Sequence, residues 1–448
     1  MTTLGIDLAV RAAHVATLTD DHGKVVWRRR RFFNRRSDLM ELSAAAGPPE
    51  ELTVVMEPTR NSWVLVAAHF RAEGAKVVLV APEQAADLRR YYNKHAKDDH
   101  LGSHVLARLP LLHPEGLAEV SSLGPADALK RAVRRRASLV TERLAWPQRL
   151  GSLLDLLGPG YVEVLSTRMQ KSTLEVLEHY GDPRALRRLG LARLSALLRR
   201  TSGGSWGDEQ AARLLAVANE AISLWQGGGL DFAELAWDLA SEVRVSRQLG
   251  AEVERLDQRI AELYGDADPK GIVASAPGTG PVLSAGILGR LGDAKRFANL
   301  GGARKFSGLV PGVAQSGNSQ QQPGITKQGD PGLRRDLFLA AELARHQDPQ
   351  LAAKYYRLIV ERRLHHYSAI CHLATTLLTR IAACWRSGQL YVVRGTDGTP
   401  VDPAQARAII AERYKIPPEA RRRSKAPEIA SGPTGQESGK AAPSRSAQ

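Results

Sequence analysis

The chain has 448 residues, 43% apolar and 24% charged, which is enough for two to four folded units of about 100–200 residues each. Its formal charge of +15 points to a polyanionic partner, nucleic acid first and an anionic membrane surface second. No apolar run approaches the ~18 residues that a spanning helix needs, so a membrane-spanning chain is excluded. The start, MTTLGIDLAV, has no basic stretch before its apolar residues and is not a secretory signal. Cys371 and Cys384 fit neither a disulfide framework nor a zinc site, so a reducing, cytoplasmic compartment is expected.

Residues 1–110 alternate strand and helix patterns. Leu4–Val10 is a short apolar run interrupted by Asp7, and His14–Leu18 is a second strand. Asp20-Asp21-His22-Gly23 signals a hairpin turn, and Lys24–Phe33 is a third strand with a basic outer half. Ser37–Ala46 reads as a helix with Ser37 as N-cap. Leu52–Met56 is a buried-type strand ending at Glu57-Pro58, Asn61–Glu73 a helix stopped by Gly74, and Lys76–Val80 a further strand. Hairpins first and crossovers later predict a mixed sheet, antiparallel on one side and parallel on the other.

Residues 120–265 read as almost all helix. Lys130–Arg149 is strongly basic, with Arg134, Arg135 and Arg136 in its middle, and Arg184–Arg200 is a second basic stretch. Ser202–Ser205 and Gly227–Gly229 are breaks. Beyond them Leu249, Val253, Leu256, Ile260 and Leu263 form a heptad seam, which predicts a coiled-coil arm or helical hairpin. Residues 271–390 form a third unit, mainly helical around a Gly-rich centre. It opens on Pro277-Gly278-Thr279-Gly280, which has the pattern of a helix-hairpin-helix turn able to offer backbone N–H groups to a phosphate. His365 and His366 have no further ligand at metal spacing and read as surface or packing residues. The expected units are 1–118, 119–268, 269–392 and an extension, 393–448, disordered from about Pro417, where Pro, Ser, Ala and Gly accumulate.

Asp7 lies within an apolar strand, where a lone carboxylate is costly unless it is paired or binds a metal. Glu57 ends another strand, and Asp98 and Asp99 lie in or beside a helix that continues Val105–Leu109. Acids from two strand ends and a helix suit a Mg²⁺ site for phosphate displacement.

Three blocks, Leu4–Ala9, Val54–Thr59 and Lys97–Leu109, resemble the acidic blocks of the DEDD transposases of the insertion-sequence 110 family. The resemblance covers roughly residues 1–115 and 270–390. It implies a ribonuclease-H-like (RuvC-like) catalytic domain with Asp7, Glu57 and Asp99 as metal-binding acids. The fourth acid of that pattern would fall at 102, where this chain has Gly102. Either Asp98, one turn earlier, substitutes, or this copy is a catalytically impaired, nucleic-acid-binding descendant.

The segment Gly308-Leu309-Val310-Pro311 to Leu333-Arg334-Arg335 resembles the C-terminal domain of the same family. The serine before glycine, Ser316, then matches the nucleophile, with Ser319 as the fallback, and Lys327, Arg334 and Arg335 are natural phosphate clamps. The resemblance further implies donor and target DNA, a guide (bridge) RNA encoded by the element, a homodimer or tetramer whose acids and serine meet in trans, and nucleoid-associated work in the cytoplasm. The stretches 130–149, with Arg134, Arg135 and Arg136, and 184–200 would then bear on RNA. An actin-like ATP-binding fold, which also opens on a strand with Gly-x-Asp, is disfavoured because no Gly-rich phosphate turn follows Asp7 or Glu57.

Overall fold

The computed structural model describes residues 1–80, 85, 100–112, 117–120, 127–165, 170–297, 299–311, 314–316, 319–321 and 324–423. The chain opens with β1 (Thr2–Asp7), β2 (His14–Thr19) and β3 (Val25–Phe32), followed by α1 (Arg36–Ala46), β4 (Leu52–Met56), α2 (Ser62–Ala72), β5 (Lys76–Leu79), α3 (His100–Leu112) and β6 (Ala118–Glu119). The six strands form one sheet in the order β3-β2-β1-β4-β5-β6. β1, β2 and β3 pair antiparallel, β4 and β5 run parallel to β1, and β6 returns antiparallel on β5. This is the mixed sheet expected from the sequence, and it is compatible with an α/β nuclease-like unit.

The apolar runs of β1 and β4 are buried because both central strands are covered. Leu4, Ile6, Val54 and Met56 share a core with Val66, Ala67 and Phe70 of α2 and Leu39 and Leu42 of α1. On the other side Val55 and Val78 pack with Leu106 and Leu109 of α3. The first strand stops at Asp7 rather than Val10, and the turn that follows is closed by His14, whose Nδ1 accepts the Ala9 N–H at 3.1 Å. Ser37 does not cap α1. The N-cap is Arg35, and Asp38 accepts the Phe33 N–H instead.

A helical arm follows: α4 (Ala128–Asp155), α5 (Pro159–Leu165), α6 (Lys171–Tyr180), α7 (Pro183–Ser202), α8 (Asp208–Leu224) and α9 (Phe232–Ala267). Helix α7 is interrupted at Gly190, and both Gly-rich breaks fall between helices. Helices α4 and α9 run antiparallel. Arg149 pairs with Glu242, Arg143 lies against Gly250, and Arg136 pairs with Asp257, so the numbers rise on one helix as they fall on the other. Of the expected seam, Val253 and Ile260 are buried while Leu249, Leu256 and Leu263 are half-buried. Trp146, Leu150 and Leu154 of α4 and Leu235, Leu239 and Val243 of α9 belong to the core of the arm, which α5 to α8 complete.

The near end of α4 enters a third core. Leu129, Ala132 and Val133 join α10 (Pro281–Leu291), α11 (Leu300–Ser307), α12 (Pro331–Ala344), α13 (Pro349–Tyr356) and α14 (His366–Ser387). A short hairpin, β7 (Ala314–Ser316) and β8 (Ser319–Gln321), follows α11 and precedes α12 in the chain. The chain closes with α15 (Pro403–Arg413) and α16 (Pro418–Arg423). A tail disordered from about Pro417 is therefore corrected for its first residues. Helix α16 is formed, and Ile416 and Ala420 are buried in the third core, which gives that segment the apolar anchor its composition does not advertise. Among the described residues no helix is long and apolar enough to cross a membrane.

Helix α3 lies directly on β1, and Gly5 is the reason it can. A Cβ at position 5 would run into the Ser103 carbonyl oxygen and the backbone of Ala107. The same contact is secured by polar groups: Thr17 and Ser103 hydroxyls are 2.9 Å apart and buried, and Thr19 Oγ1 donates to the Ala107 carbonyl at 3.3 Å. Gly5→Ala is therefore expected to force α3 off the sheet, at a cost of about 1–3 kcal/mol from overpacking. Urea unfolding of the variant beside the unaltered chain measures this; an unchanged midpoint would mean that α3 is not seated as described.

Candidate active site

The sheet brings the first two acids together. Parallel pairing of β1 and β4 sets Ile6 opposite Met56, so Asp7 and Glu57, each one residue further on, stand at the same ends of adjacent strands. Asp7 lies on the Gly5 face of its strand, because successive residues alternate across a sheet. That face is the one covered by α3. A Cβ built on Gly102 of α3 would overlap the Asp7 carboxylate. Position 102 is thus against Asp7, as a fourth acid of the site would be, but here the Asp7 side chain fills the space that a side chain at 102 would take. Asp98 and Asp99 lie outside the described residues.

The donor set suits a hard divalent cation, since carboxylate oxygens are what Mg²⁺ takes. Among the described residues no three His, Cys, Asp or Glu side chains gather into a metal-holding group. Next to Asp7, His14 is buried and packs edge-on against Phe32 at 5.1 Å. Burial pulls its pKa down, and the Asn34 side chain pulls it up to a smaller extent. Accepting the Ala9 N–H through Nδ1 demands the uncharged ring, so His14 holds the turn after Asp7 without adding positive charge to it.

Ser316 sits on the other unit. It ends β7 and is the direct cross-strand partner of Ser319 in β8. The hairpin rises from a tight base. Thr326 N–H donates to the Val310 carbonyl at 2.9 Å, Lys327 N–H to the Gly308 carbonyl at 3.2 Å, and Pro311 bridges Ile325. Gly308 and Gly329 let these strands close, since a Cβ on either would strike a facing carbonyl, that of Gln328 or of Phe306. Lys327 itself adopts a left-handed backbone, φ 56°.

Beneath the hairpin lies a buried ionic cluster. Asp330 caps α12 by accepting the N–H groups of Gly332 and Leu333. Arg290, 7% exposed, reaches Asp330 at 3.0 Å and Asp336 at 3.3 Å, and Arg134 reaches Asp330 from α4 at 3.2 Å. The two acids respond in opposite directions. Burial raises the Asp336 pKa, and Arg290 and Arg335 do not fully offset it. Burial also pushes Asp330 up, but the Leu333 N–H, Arg290 and Arg134 together hold it below the usual carboxylate range. The difference follows from the backbone donors that Asp330 has as an N-cap.

Several of the cations expected to clamp phosphates have partners within the protein. Arg134 pairs with Asp330 and Arg136 with Asp257, Arg334 donates to the Ser307 carbonyl at 3.2 Å, and Arg335 to Asp336. Arg135 and Lys327 are exposed. Arg134 and Arg335 remain half-exposed beside their partners, so part of each guanidinium still faces solvent. The turn before α10 also differs from a free phosphate-binding turn, because the Gly278 N–H donates to Gln347 Oε1 at 3.0 Å. His365 caps α14, and His366 bonds the Tyr355 hydroxyl at 2.8 Å, both in packing roles. Gly5, His14, Thr17 and Ser103 escaped sequence reasoning. The Gly-x-Asp spacing of residues 5–7 was the one signal that could have drawn attention to Gly5.

Comparison with known proteins bears on both halves. The family model for DEDD transposases of IS110 elements, described as "Transposase", matches residues 4–159, and a second, described as "Transposase IS116/IS110/IS902 family", matches residues 270–357. Together they take in more than half of the chain. The 44.8 kDa protein of insertion element IS116 from Streptomyces clavuligerus is 24% identical over 413 residues, 90% of this chain and 98% of that relative. The 43.6 kDa protein of insertion element IS110 from Streptomyces coelicolor is 26% identical over 404 residues, 87% and 95% of the two chains. The 42 kDa protein of IS900 from Mycobacterium paratuberculosis is 24% identical over 391 residues, 86% and 96%.

Proposed function

Because the chain belongs to the IS116/IS110/IS902 family of transposases, we propose that it cuts and joins the DNA strands of an insertion element at an active site built in two halves. The acidic half is Asp7 and Glu57 at the strand ends of a ribonuclease-H-like sheet, with Asp99 as the third acid. The nucleophilic half is Ser316 on its hairpin. The observation that carries the reading is the arrangement of Asp7 and Glu57 at the ends of adjacent parallel strands, with position 102 against Asp7.

Asp7, Glu57 and Asp99 would hold Mg²⁺, which supplies positive charge to the phosphate oxygens as displacement proceeds. The Ser316 oxygen forms a bond to phosphorus while the bond from phosphorus to one sugar oxygen breaks. The serine proton ends on that departing oxygen, leaving the DNA joined to the protein as a phosphoserine. Rejoining reverses these steps with a different strand's hydroxyl. Lys327, Arg334 and Arg335 on and beside the hairpin base steady the phosphate charge. In keeping with the family resemblance, the acids and the serine meet between subunits of a dimer or tetramer. An RNA made from the element directs the choice of DNA by base pairing, and α7 and α4 contact it, α4 through Arg135 and the solvent-facing part of Arg134, while Arg136 is held by Asp257.

A second reading, a binding descendant with an impaired metal site, is favoured by Gly102 alone. One assay separates them. The chain and its Gly102→Asp variant are incubated with Mg²⁺, the element's terminal RNA and labelled donor and target DNA, then run on a denaturing gel. A Mg²⁺-dependent covalent adduct from the unaltered chain supports an active enzyme. An adduct from Gly102→Asp alone supports the impaired copy, and no adduct from either, with DNA bound, leaves the binding descendant.

Gly102→Asp also carries a prediction for the free protein. Two carboxylates pressed together without a cation are expected to destabilise the sheet unit by about 1–3 kcal/mol in chelator, the range for overpacking. Added Mg²⁺ should recover most of that loss while moving the unaltered chain less. Thermal melts with and without Mg²⁺ read this directly, and a deficit indifferent to the metal would count against a cation at this face.

A further inference from the structure

A second group of cations lies where α13 packs against α14. Lys354, on α13, is half-buried, and its ammonium donates to the Thr376 hydroxyl of α14. Thr376 stands one turn from His372, whose carbonyl it reaches at 3.0 Å. Helix α13 runs on into a widened π-helical turn, Arg357–Glu361, which starts with the exposed Arg357, and Arg362 follows it. Arg357 and Arg380 are among the charges near Lys354, and Lys354 and Arg362 among those near His372. Glu361, exposed beside Arg362, is the acid on the same turn. Arg380 is engaged by Asp348, Tyr391 and Gln350. Burial first, and then these basic neighbours, lower the pKa values of both Lys354 and His372.

Holding a lysine partly out of water beside like charges costs free energy. An anion would repay each of those costs at once. The site also has a position in the molecule. Thr375, next to Thr376, donates to the Leu309 carbonyl at 3.3 Å, and Leu309 lies at the base of the loop that carries Ser316.

We propose that Lys354, Arg357, Arg362 and His372 form a phosphodiester-binding site that holds a nucleic-acid strand as it passes the base of the Ser316 hairpin. The proposal rests on the reading of the chain as a nucleic-acid enzyme, but not on Ser316 being its nucleophile. Lys354 contributes the desolvated charge, oriented by Thr376. The two exposed arginines extend the track, and His372 gains a proton as the phosphate arrives.

The test is the salt dependence of binding, measured with the full chain on a DNA duplex and on an RNA hairpin of matched length. Each phosphate left without its cation lowers the slope of log K against log salt by about one, so the rise in Kd between 0.05 and 0.2 M salt shrinks by about three- to fourfold for every such phosphate. Lys354→Met and Arg357→Gln should each do this, and the arm with the larger effect names the strand. Lys354→Met should melt no lower than the unaltered chain, because the lysine is held at a cost. Arg357 is exposed, so its variant keeps the test open if the Lys354 variant fails to fold. A proton NMR titration should show the His372 pKa rising when nucleic acid binds. Unchanged slopes in both variants with normal binding, or a His372 titration indifferent to nucleic acid, would overturn the site alone. If the unaltered chain bound neither DNA nor RNA, both the site and the transposase reading would fall.

Discussion

Ser316→Ala is expected to abolish the covalent protein–DNA adduct and to lower strand joining by about four to six orders of magnitude, the scale on which removal of a nucleophilic serine acts. DNA binding should survive, because the hairpin is held at its base by backbone pairing of Val310 with Thr326 and of Gly308 with Lys327, none of which uses the Ser316 side chain. Ser319→Ala is the informative companion. Ser316 and Ser319 are cross-strand partners, so identity must be settled chemically. Peptide mapping of the adduct should find the DNA on Ser316, with Ser319→Ala retaining it. An adduct mapped to Ser319 would reassign the nucleophile without disturbing the mechanism. An adduct surviving both substitutions would end the serine reading.

Arg290→Met is expected to destabilise the C-terminal unit by about 3–5 kcal/mol, the usual result of removing one partner from a buried charge cluster. Asp330 and Asp336 would be left facing each other with Arg134 and Arg335, both half-exposed, as the remaining cations. The pH dependence identifies the cause. Asp336 already has a raised pKa in the folded chain, and without Arg290 it should rise further. A carboxyl whose folded pKa lies above its unfolded value favours folding while protonated, and that contribution is lost as pH rises through the folded pKa. The deficit should therefore be small near the ordinary carboxylate range and grow towards neutrality. Chemical denaturation across that interval measures it, and a flat deficit would show that packing rather than charge is at stake. Loss of order would extend to the Ser316 hairpin, since Asp330 joins its base to α12.

The strands of the first unit were legible because their signals are local. A lone acid in an apolar run, a turn of Asp and Gly, and an apolar run ending in Glu-Pro each mark one element, and β1 to β5 lie where those marks put them, within about three residues. Strand β6, two residues long, leaves no periodic trace. The hairpin is invisible for another reason. Ala314-Gln315-Ser316 and Ser319-Gln320-Gln321 have no apolar alternation, and the pairing grows out of a base made by Gly308 and Gly329. Contacts between distant residues were beyond reach altogether. Nothing near Gly5 says that a helix beginning at His100 will press on it. The run Arg134-Arg135-Arg136 reads as one basic face, yet two of its members turn to Asp330 and Asp257, 196 and 121 residues away. The site was legible as chemistry, acids at strand ends and a serine beside glycine, but not as the packing that sets Asp7 against Gly102.

The paired helices α4 and α9 span roughly 42 and 54 Å at 1.5 Å per residue, and α4 is built into the C-terminal core at one end and the core of the arm at the other. Pro147 falls within the stretch of α4 that packs into the arm, so the proline that cannot offer an N–H to the Arg143 carbonyl is held among packed neighbours. The stretch of α4 between Val133 and Trp146 enters neither of those two cores, and it is held to α9 by the pairing of Arg136 with Asp257 and by Arg143 against Gly250. The two rods thus act as a spacer that fixes how far the bundle stands from the C-terminal unit.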